Sequence, residues 1–214
     1  MDTIYLKNVL PEIFLTKENT GSEIWRQEVC FSKGQTVLLK AVSGAGKSSL
    51  CSFIYGCRRD FSGSVCFDGQ DILSLKQADW ERVRRVSLSI VFQDLRLFPE
   101  LTAFENVEVK NCLTGFRTDN WIRDCFLQVG LGDKMEEKAG KLSFGQQQRV
   151  ALIRALCQPF DFILLDEPVS HLDDENNRIC SRLLTGEARR QGAGVLVTSI
   201  GYEPEMTYDK VFRL

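Results

Sequence analysis

Lys40-Ala-Val-Ser-Gly-Ala-Gly-Lys-Ser-Ser-Leu50 is the stretch on which the reading of this 214-residue chain turns. Before it, Gln35-Thr-Val-Leu-Leu-Lys40 is apolar and β-branched enough for a buried strand. After it, Ser48-Ser-Leu-Cys-Ser-Phe-Ile54 carries the apolar spacing of a helix. The loop between is therefore a strand-to-helix turn, the context that a phosphate-binding P-loop requires. Ser43, Gly44, Ala45 and Gly46 would turn their N–H groups toward phosphate oxygens, and Ser49 would extend the cradle into the first helical turn. Lys47 would reach the β- and γ-phosphates, and Ser48 would offer an oxygen to Mg²⁺. The pattern G-x-x-x-x-G-K-[ST] is met except at its first position, where Ala41 stands. If that position needs a positive φ, Ala41 costs roughly 1–2 kcal/mol there.

Composition bounds what else the chain can be. It is 43% hydrophobic and 26% charged, inside the globular range and long enough for one α/β domain with a sizeable core. A net charge of −2 with a pI near 5.6 argues against binding nucleic acid, which calls for a concentrated basic surface. No apolar run approaches the roughly 20 residues of a membrane span, and the first residues lack the pattern of a signal peptide. The expectation is a cytoplasmic protein that reaches a membrane only through a partner. The eight cysteines include no C-x-x-C pair and read as small buried hydrophobes in a reducing compartment. The single His171 has no cysteine at metal-ligand spacing.

Ahead of the P-loop, residues 3–9 alternate in the manner of an edge strand and residues 25–31 make a second, with the polar stretch 16–22 as a loop or hairpin tip. This predicts a small antiparallel lobe, able to present an aromatic ring to a nucleotide base. Phe14 is the candidate, with Tyr5 and Trp25 as competitors. Phe61-Ser-Gly-Ser-Val-Cys-Phe-Asp-Gly69 continues the lobe with a hairpin signal, and residues 75–85 read as an amphipathic helix. A buried strand then ends in Gln93, and Thr102 with Glu105 forms a capping box for the next helix.

Residues 111–140 form a polar helical stretch, part of an insertion lobe spanning about residues 95–158. Leu142-Ser-Phe-Gly-Gln146 opens another helix, whose N-terminus can hold an anion. Phe160-Asp-Phe-Ile-Leu-Leu-Asp-Glu-Pro168 is an apolar strand delivering Asp166 and Glu167 at its C-terminal end. An Asp there can hold Mg²⁺, and the Glu after it can orient or deprotonate an attacking water. A charged helix over 174–190, a buried strand over 194–198 and a short strand over 209–214 complete the alternation of a doubly wound parallel sheet.

With the P-loop, Gln93, Leu142-Ser-Phe-Gly-Gln146 and Ile163-Leu-Leu-Asp-Glu-Pro168 in this order, the chain resembles the nucleotide-binding subunit of an ATP-binding cassette transporter. The resemblance covers essentially all 214 residues. Ile90-Val-Phe-Gln-Asp94 and Phe98-Pro-Glu-Leu-Thr-Ala-Phe-Glu-Asn-Val107 look most like the lipoprotein-releasing, macrolide-export and cell-division branch. The resemblance implies an α/β fold: a P-loop NTPase core with a mostly parallel sheet, an antiparallel β lobe and a helical lobe, in one cassette over 1–214. It implies ATP held by Lys47, Ser48 and the loop amides, with Gln93 and Asp166 completing the Mg²⁺ environment and Glu167 polarising the water. Two cassettes would close head to tail, so that Ser143, Gly145 and Gln146 of one cap the γ-phosphate of the other and Leu172-Asp173 lies at the junction. A membrane permease would receive the motion through the groove beside the Gln93 loop.

Three departures qualify that inheritance. Ala41 replaces the first P-loop glycine, Phe144 the middle glycine of the signature, and Ser199 the histidine that senses the γ-phosphate. Two functions therefore stay open: an ATPase with slow basal turnover that drives a membrane complex, or a nucleotide-gated switch that hydrolyses little. Lys47, Asp166 and Glu167 favour the first; Ser199 and Ala41 favour the second.

Overall fold

The computed structural model describes residues 1–16 and 21–214. Two sheets organise them. A four-stranded antiparallel sheet runs β2(Glu28–Ser32), β1(Thr3–Pro11), β4(Phe61–Phe67), β5(Gln70–Asp71). A five-stranded parallel sheet runs β6(Leu88–Val91), β7(Phe162–Asp166), β8(Gly194–Ser199), β3(Thr36–Lys40), β9(Lys210–Arg213). The α/β class, the antiparallel lobe and the parallel core are as the sequence implies.

The apolar runs in the parallel strands divide between two cores by simple alternation. Val37 and Leu39, Phe162 and Leu164, and Leu196 face the antiparallel sheet and helix α1(Lys47–Ile54). Leu38, Ile163, Leu165, Val195 and Val197 face the opposite way. There they pack with α3(Ala103–Asn111), α4(Asp119–Gln128), α5(Phe144–Ala155) and α6(Asp174–Gln191). A strand covered on both faces needs apolar residues at every position, which is why β7 reads as an unbroken run. Helix α2(Gln77–Val86) lies beside β6, with Trp80 buried against Phe67.

Three expectations are corrected. Residues 3–9 belong to a central strand, since β1 pairs with both β2 and β4. Their alternation reports burial of one face (Ile4, Leu6), which a central strand of a one-sided sheet shows as readily as an edge. The second strand starts only at Glu28: Ser22 Oγ accepts the N–H groups of Ile24 and Trp25 and turns the chain before it. Of the expected loop over 16–22, residues 17–20 lie outside the described residues. Finally, the cysteines are all free, but only Cys51, Cys125, Cys157 and Cys180 are buried, whereas Cys30, Cys57 and Cys112 are exposed. Burial pushes the Cys125 thiol up to about 12.

The insertion lobe is helical as expected, held at its base by the Thr102–Glu105 capping box, with Thr102 Oγ1 accepting Glu105 N–H at 3.1 Å. Among the described residues no helix is long and apolar enough to cross a membrane.

Candidate phosphate and metal site

All three parallel strands that matter for chemistry end at the same edge. β3 delivers the P-loop, β7 delivers Asp166 and Glu167, and β8 delivers Thr198 and Ser199, with Lys40 in register opposite Ser199 and Asp166 opposite Thr198. The C-terminal edge of such a sheet is where ligands bind in doubly wound folds.

Gly44 and Gly46 adopt φ of +79° and +97°, so the loop turns through conformations that favour glycine. Gly46 is constrained twice. A Cβ there would lie 3.0 Å from the Trp25 ring and 3.1 Å from that of Phe14. Trp25 Nε1 also donates to Ala45 O at 2.9 Å, tying the loop to the antiparallel lobe. Ala41 has no positive φ, so the cost considered for its side chain does not arise. Its N–H donates to Ser199 O at 3.0 Å, continuing the sheet.

Lys47 is 5% exposed. Its Nζ donates to Val42 O at 3.3 Å and pairs with Glu167 Oε1 at 3.3 Å. Ser48 is exposed and its Oγ donates to Gln93 Oε1 at 3.1 Å. Asp166 is 3% exposed and its Oδ1 accepts from Thr198 Oγ1 at 2.6 Å, which fixes the carboxylate's direction. Ser48, Gln93 and Asp166 together present a hydroxyl, an amide oxygen and a carboxylate. That all-oxygen set fits Mg²⁺, which binds proteins through one or two carboxylates and takes its remaining ligands from phosphate and water. No group of three His, Cys, Asp or Glu gathers among the described residues, as a metal held by protein alone would need.

Other predicted residues sit elsewhere. Ser43 is exposed in the loop, but Ser49 turns inward and its Oγ accepts from Arg58 Nη1 at 2.9 Å, leaving only its N–H for the cradle. Phe14 packs inward. It is 4% exposed, packed edge-on to Trp25 with ring centroids 6.5 Å apart, beneath Gly46. After β1 ends at Pro11, the turn Glu12–Phe14 carries this ring beneath the loop, where it props Gly46. Trp25 shares that role, and Tyr5 is tied to Glu28 on the antiparallel sheet. Ser199 is 1% exposed, and its hydroxyl donates to Tyr202 O at 3.0 Å and accepts from Gly201 N at 2.9 Å. Both bonds lie within the turn 199–202.

The signature residues form a separate cluster. Ser143 Oγ accepts Gln146 N–H at 3.3 Å while Gln146 Oε1 accepts Ser143 N–H at 2.8 Å, a capping box that opens α5. Gly145 is needed for close approach, since a Cβ there would stand 2.7 Å from His171 O. Phe144 and His171 lie against each other with ring centroids 4.4 Å apart and planes tilted by 60°. No hydrogen bond joins this cluster to the P-loop among the described residues; it faces the loop after Glu167 instead.

One residue in that contact escaped the sequence reading. Gln148 is 2% exposed, on the buried side of α5, and its Nε2 donates to Glu167 O at 3.1 Å. The signal was available: Gln148 falls three and four residues before Ala151 and Leu152, so it is a polar residue on an apolar face.

A glycine-turned loop at a helix start, a buried lysine beneath it and two carboxylates at the end of the strand two places away define a P-loop nucleotide-binding domain. Residues 26–170 match the sequence model of the family described as "ABC transporter". The lipoprotein-releasing system ATP-binding protein LolD of Syntrophotalea carbinolica is 36% identical over 169 residues, 78% of this chain and 74% of that protein. The uncharacterized ABC transporter ATP-binding protein Rv2564 of Mycobacterium tuberculosis is 41% identical over 143 residues; the match takes in 65% of this chain and only 43% of that longer protein. The dimeric structure of MJ0796, a bacterial ABC transporter cassette, superposes with a TM-score of 0.78 at 29% identity, covering 92% of this chain and 87% of that one. The same cassette in a post-hydrolysis state bound to ADP and Pi gives 0.76. This chain belongs to the ABC transporter family. Within it, it is an ATP-binding cassette, an ATPase of that type.

Proposed function

We propose that the chain is the ATP-hydrolysing subunit of a membrane transporter, working as a pair of cassettes at the inner face of the cell membrane. The observation that carries this is the buried Lys47 ammonium held between the P-loop carbonyl of Val42 and the Glu167 carboxylate. Phosphate oxygens compete for that ammonium, so ATP binding draws Lys47 away and releases Glu167 to act on water. Ser48, Gln93 and Asp166 would hold Mg²⁺, which neutralises charge on the β- and γ-phosphate oxygens. Ser143, Gly145 and Gln146 open a helix N-terminus that this subunit's own P-loop does not use, which supports their capping the nucleotide of a second cassette.

The permease contact falls to a groove of about 220 Å³ whose lining includes Tyr55, Phe92, Val109 and Leu113. Lys110 and Arg154 also line it, and neither has a carboxylate within 4 Å among the described residues. Burial, with Arg154 adding repulsion, pushes the Lys110 ammonium down to about 8. Apolar walls with unpaired cations fit an amphipathic permease segment that carries a carboxylate. The relationship to LolD supports a permease of the lipoprotein-releasing kind.

Ser199 favours slow basal turnover, and with it the second reading of a nucleotide-gated switch, because its hydroxyl is engaged within residues 199–202. Calorimetry with Mg-ATP on the parent and Lys47→Ala, beside phosphate release and gel filtration, tests the proposal. The expected result is binding, slow turnover and an ATP-dependent shift to dimer in the parent, with all three lost in the variant. Equal affinity in both proteins would overturn the P-loop assignment; binding and dimerisation without any phosphate release would favour the switch.

A further inference from the structure

Glu167 is the one residue of the site with a strained backbone: its φ is +51°, and it is neither glycine nor asparagine. Left-handed geometry costs a β-carbon residue roughly 1–2 kcal/mol, and Pro168 after it disfavours the ordinary helical alternative. Such a conformation persists only where the surroundings over-determine it. The Glu167 peptide is gripped from both sides. Its N–H donates to Thr198 O at 3.2 Å, from the adjacent strand β8. Its C=O accepts from Gln148 Nε2 at 3.1 Å and, more weakly, from Ser170 N–H at 3.4 Å.

Gln148 does more than satisfy one carbonyl. The same Nε2 donates to Ser170 Oγ at 3.2 Å, and Gln148 Oε1 accepts His171 N–H at 3.2 Å. One buried amide thus fastens the turn 167–171 at three points. Its own footing is firm: the neighbouring Arg149 donates to Val129 O at the end of α4 and to Asn176 Oδ1 at the start of α6. Among the described residues the Gln148 side chain makes its hydrogen bonds to Glu167, Ser170 and His171, and none to the P-loop, Ser48, Gln93 or Asp166.

We propose that Gln148 is a positioning residue: by holding the Glu167 carbonyl it fixes the left-handed backbone from which the Glu167 carboxylate is aimed at the reacting phosphate. The proposal rests on the reading of Glu167 as the group that acts on water. Rotation of the 167–168 peptide swings the Cα–Cβ bond of Glu167, so loss of this single donor moves the carboxylate without touching the nucleotide. The signature helix and the catalytic carboxylate are by this account mechanically one unit, because Ser143 caps α5 and Gln148 lies on it.

The test uses Gln148→Met, which keeps volume and length but removes the amide. It also uses Gln148→Glu, which keeps the acceptor for His171 N–H and removes the donor to Glu167 O. A misplacement of about 1 Å costs on the order of 10²-fold in rate, so the expected loss in kcat is roughly 10- to 100-fold, with the Kd for ATP unchanged within about threefold. A general weakening of the fold would move both. The decisive comparison adds Gln148→Met to Glu167→Gln. If Gln148 acts through Glu167, the residual rate of the double variant matches that of Glu167→Gln alone. Parent-like kcat in either single variant overturns the proposal, as does a double variant slower by the full product of the two effects. Should Gln148→Met fail to fold by circular dichroism, Gln148→Glu carries the same comparison. If Glu167→Gln itself keeps parental turnover, the reading of Glu167 fails, an outcome separable from failure of the Gln148 proposal.

Discussion

Changing Glu167 to Gln should tighten nucleotide binding as well as stop turnover. Lys47 Nζ and Glu167 Oε1 stand 3.3 Å apart with side chains 6% and 9% exposed, so this is a desolvated ion pair. An incoming phosphate has to replace that carboxylate on the ammonium. A hydrogen bond to a charged group is worth about 1.5–3 kcal/mol net, and each 1.4 kcal/mol is tenfold in affinity. Glutamine keeps the shape and removes the charge, so the competition falls away and Kd for ATP should drop roughly ten- to a hundredfold. Calorimetric titration with ATP in EDTA, at protein concentrations where gel filtration shows monomer, separates this effect from dimer closure. Phosphate release in Mg-ATP measures the loss of turnover in the same preparations. A Kd equal to or weaker than the parent's would refute the idea that Glu167 and phosphate share Lys47.

Two further outcomes follow from packing and charge. Gly46→Ala places a Cβ 3.0 Å from Trp25 at a φ of +97°; the strain of roughly 1–2 kcal/mol should lower Tm by about 2–8 °C and weaken ATP binding, checked by thermal melts and calorimetry. Lys110 sits near 8 rather than its ordinary 10.5, so between those values the unfolded chain holds a proton that the folded one has shed. Stability from this group therefore rises as pH climbs from about 8 to about 10.5, and its burial cost is felt in full below 8. Lys110→Met should be more stable than the parent at pH 7, with the gap closing toward pH 10.5 in chemical denaturation; a gap independent of pH would refute this.

What could be read from the sequence was what short-range covalent pattern decides. The strand, glycine turn and helix around Lys47, the caps at Thr102 and Ser143, and the carboxylates after β7 each depend on residues within a few positions of one another. What could not be read depends on where distant segments meet. Phe14 looked free to stack on a base because nothing local says that the chain after β1 tucks beneath Gly46. Ser199 looked like a shortened catalytic side chain because its position was inherited from the strand, whereas its hydroxyl answers to Gly201 and Tyr202. Gly145 was legible as part of a motif, but the reason for it, the approach of His171 O, lies in another part of the chain.

The indole of Trp25 gives the phosphate loop an intrinsic optical probe. Its ring lies against Gly46 and its N–H is bonded to Ala45 O, so any rearrangement of the loop alters both the polarity around the fluorophore and its hydrogen bond. The chain has only two other tryptophans, Trp80 beside Phe67 and Trp121 on the helical lobe. With phenylalanine at both of those positions, tryptophan emission would come from one place alone. Stopped-flow fluorescence could then follow nucleotide arrival and departure in unlabelled protein, on the timescale of the loop itself.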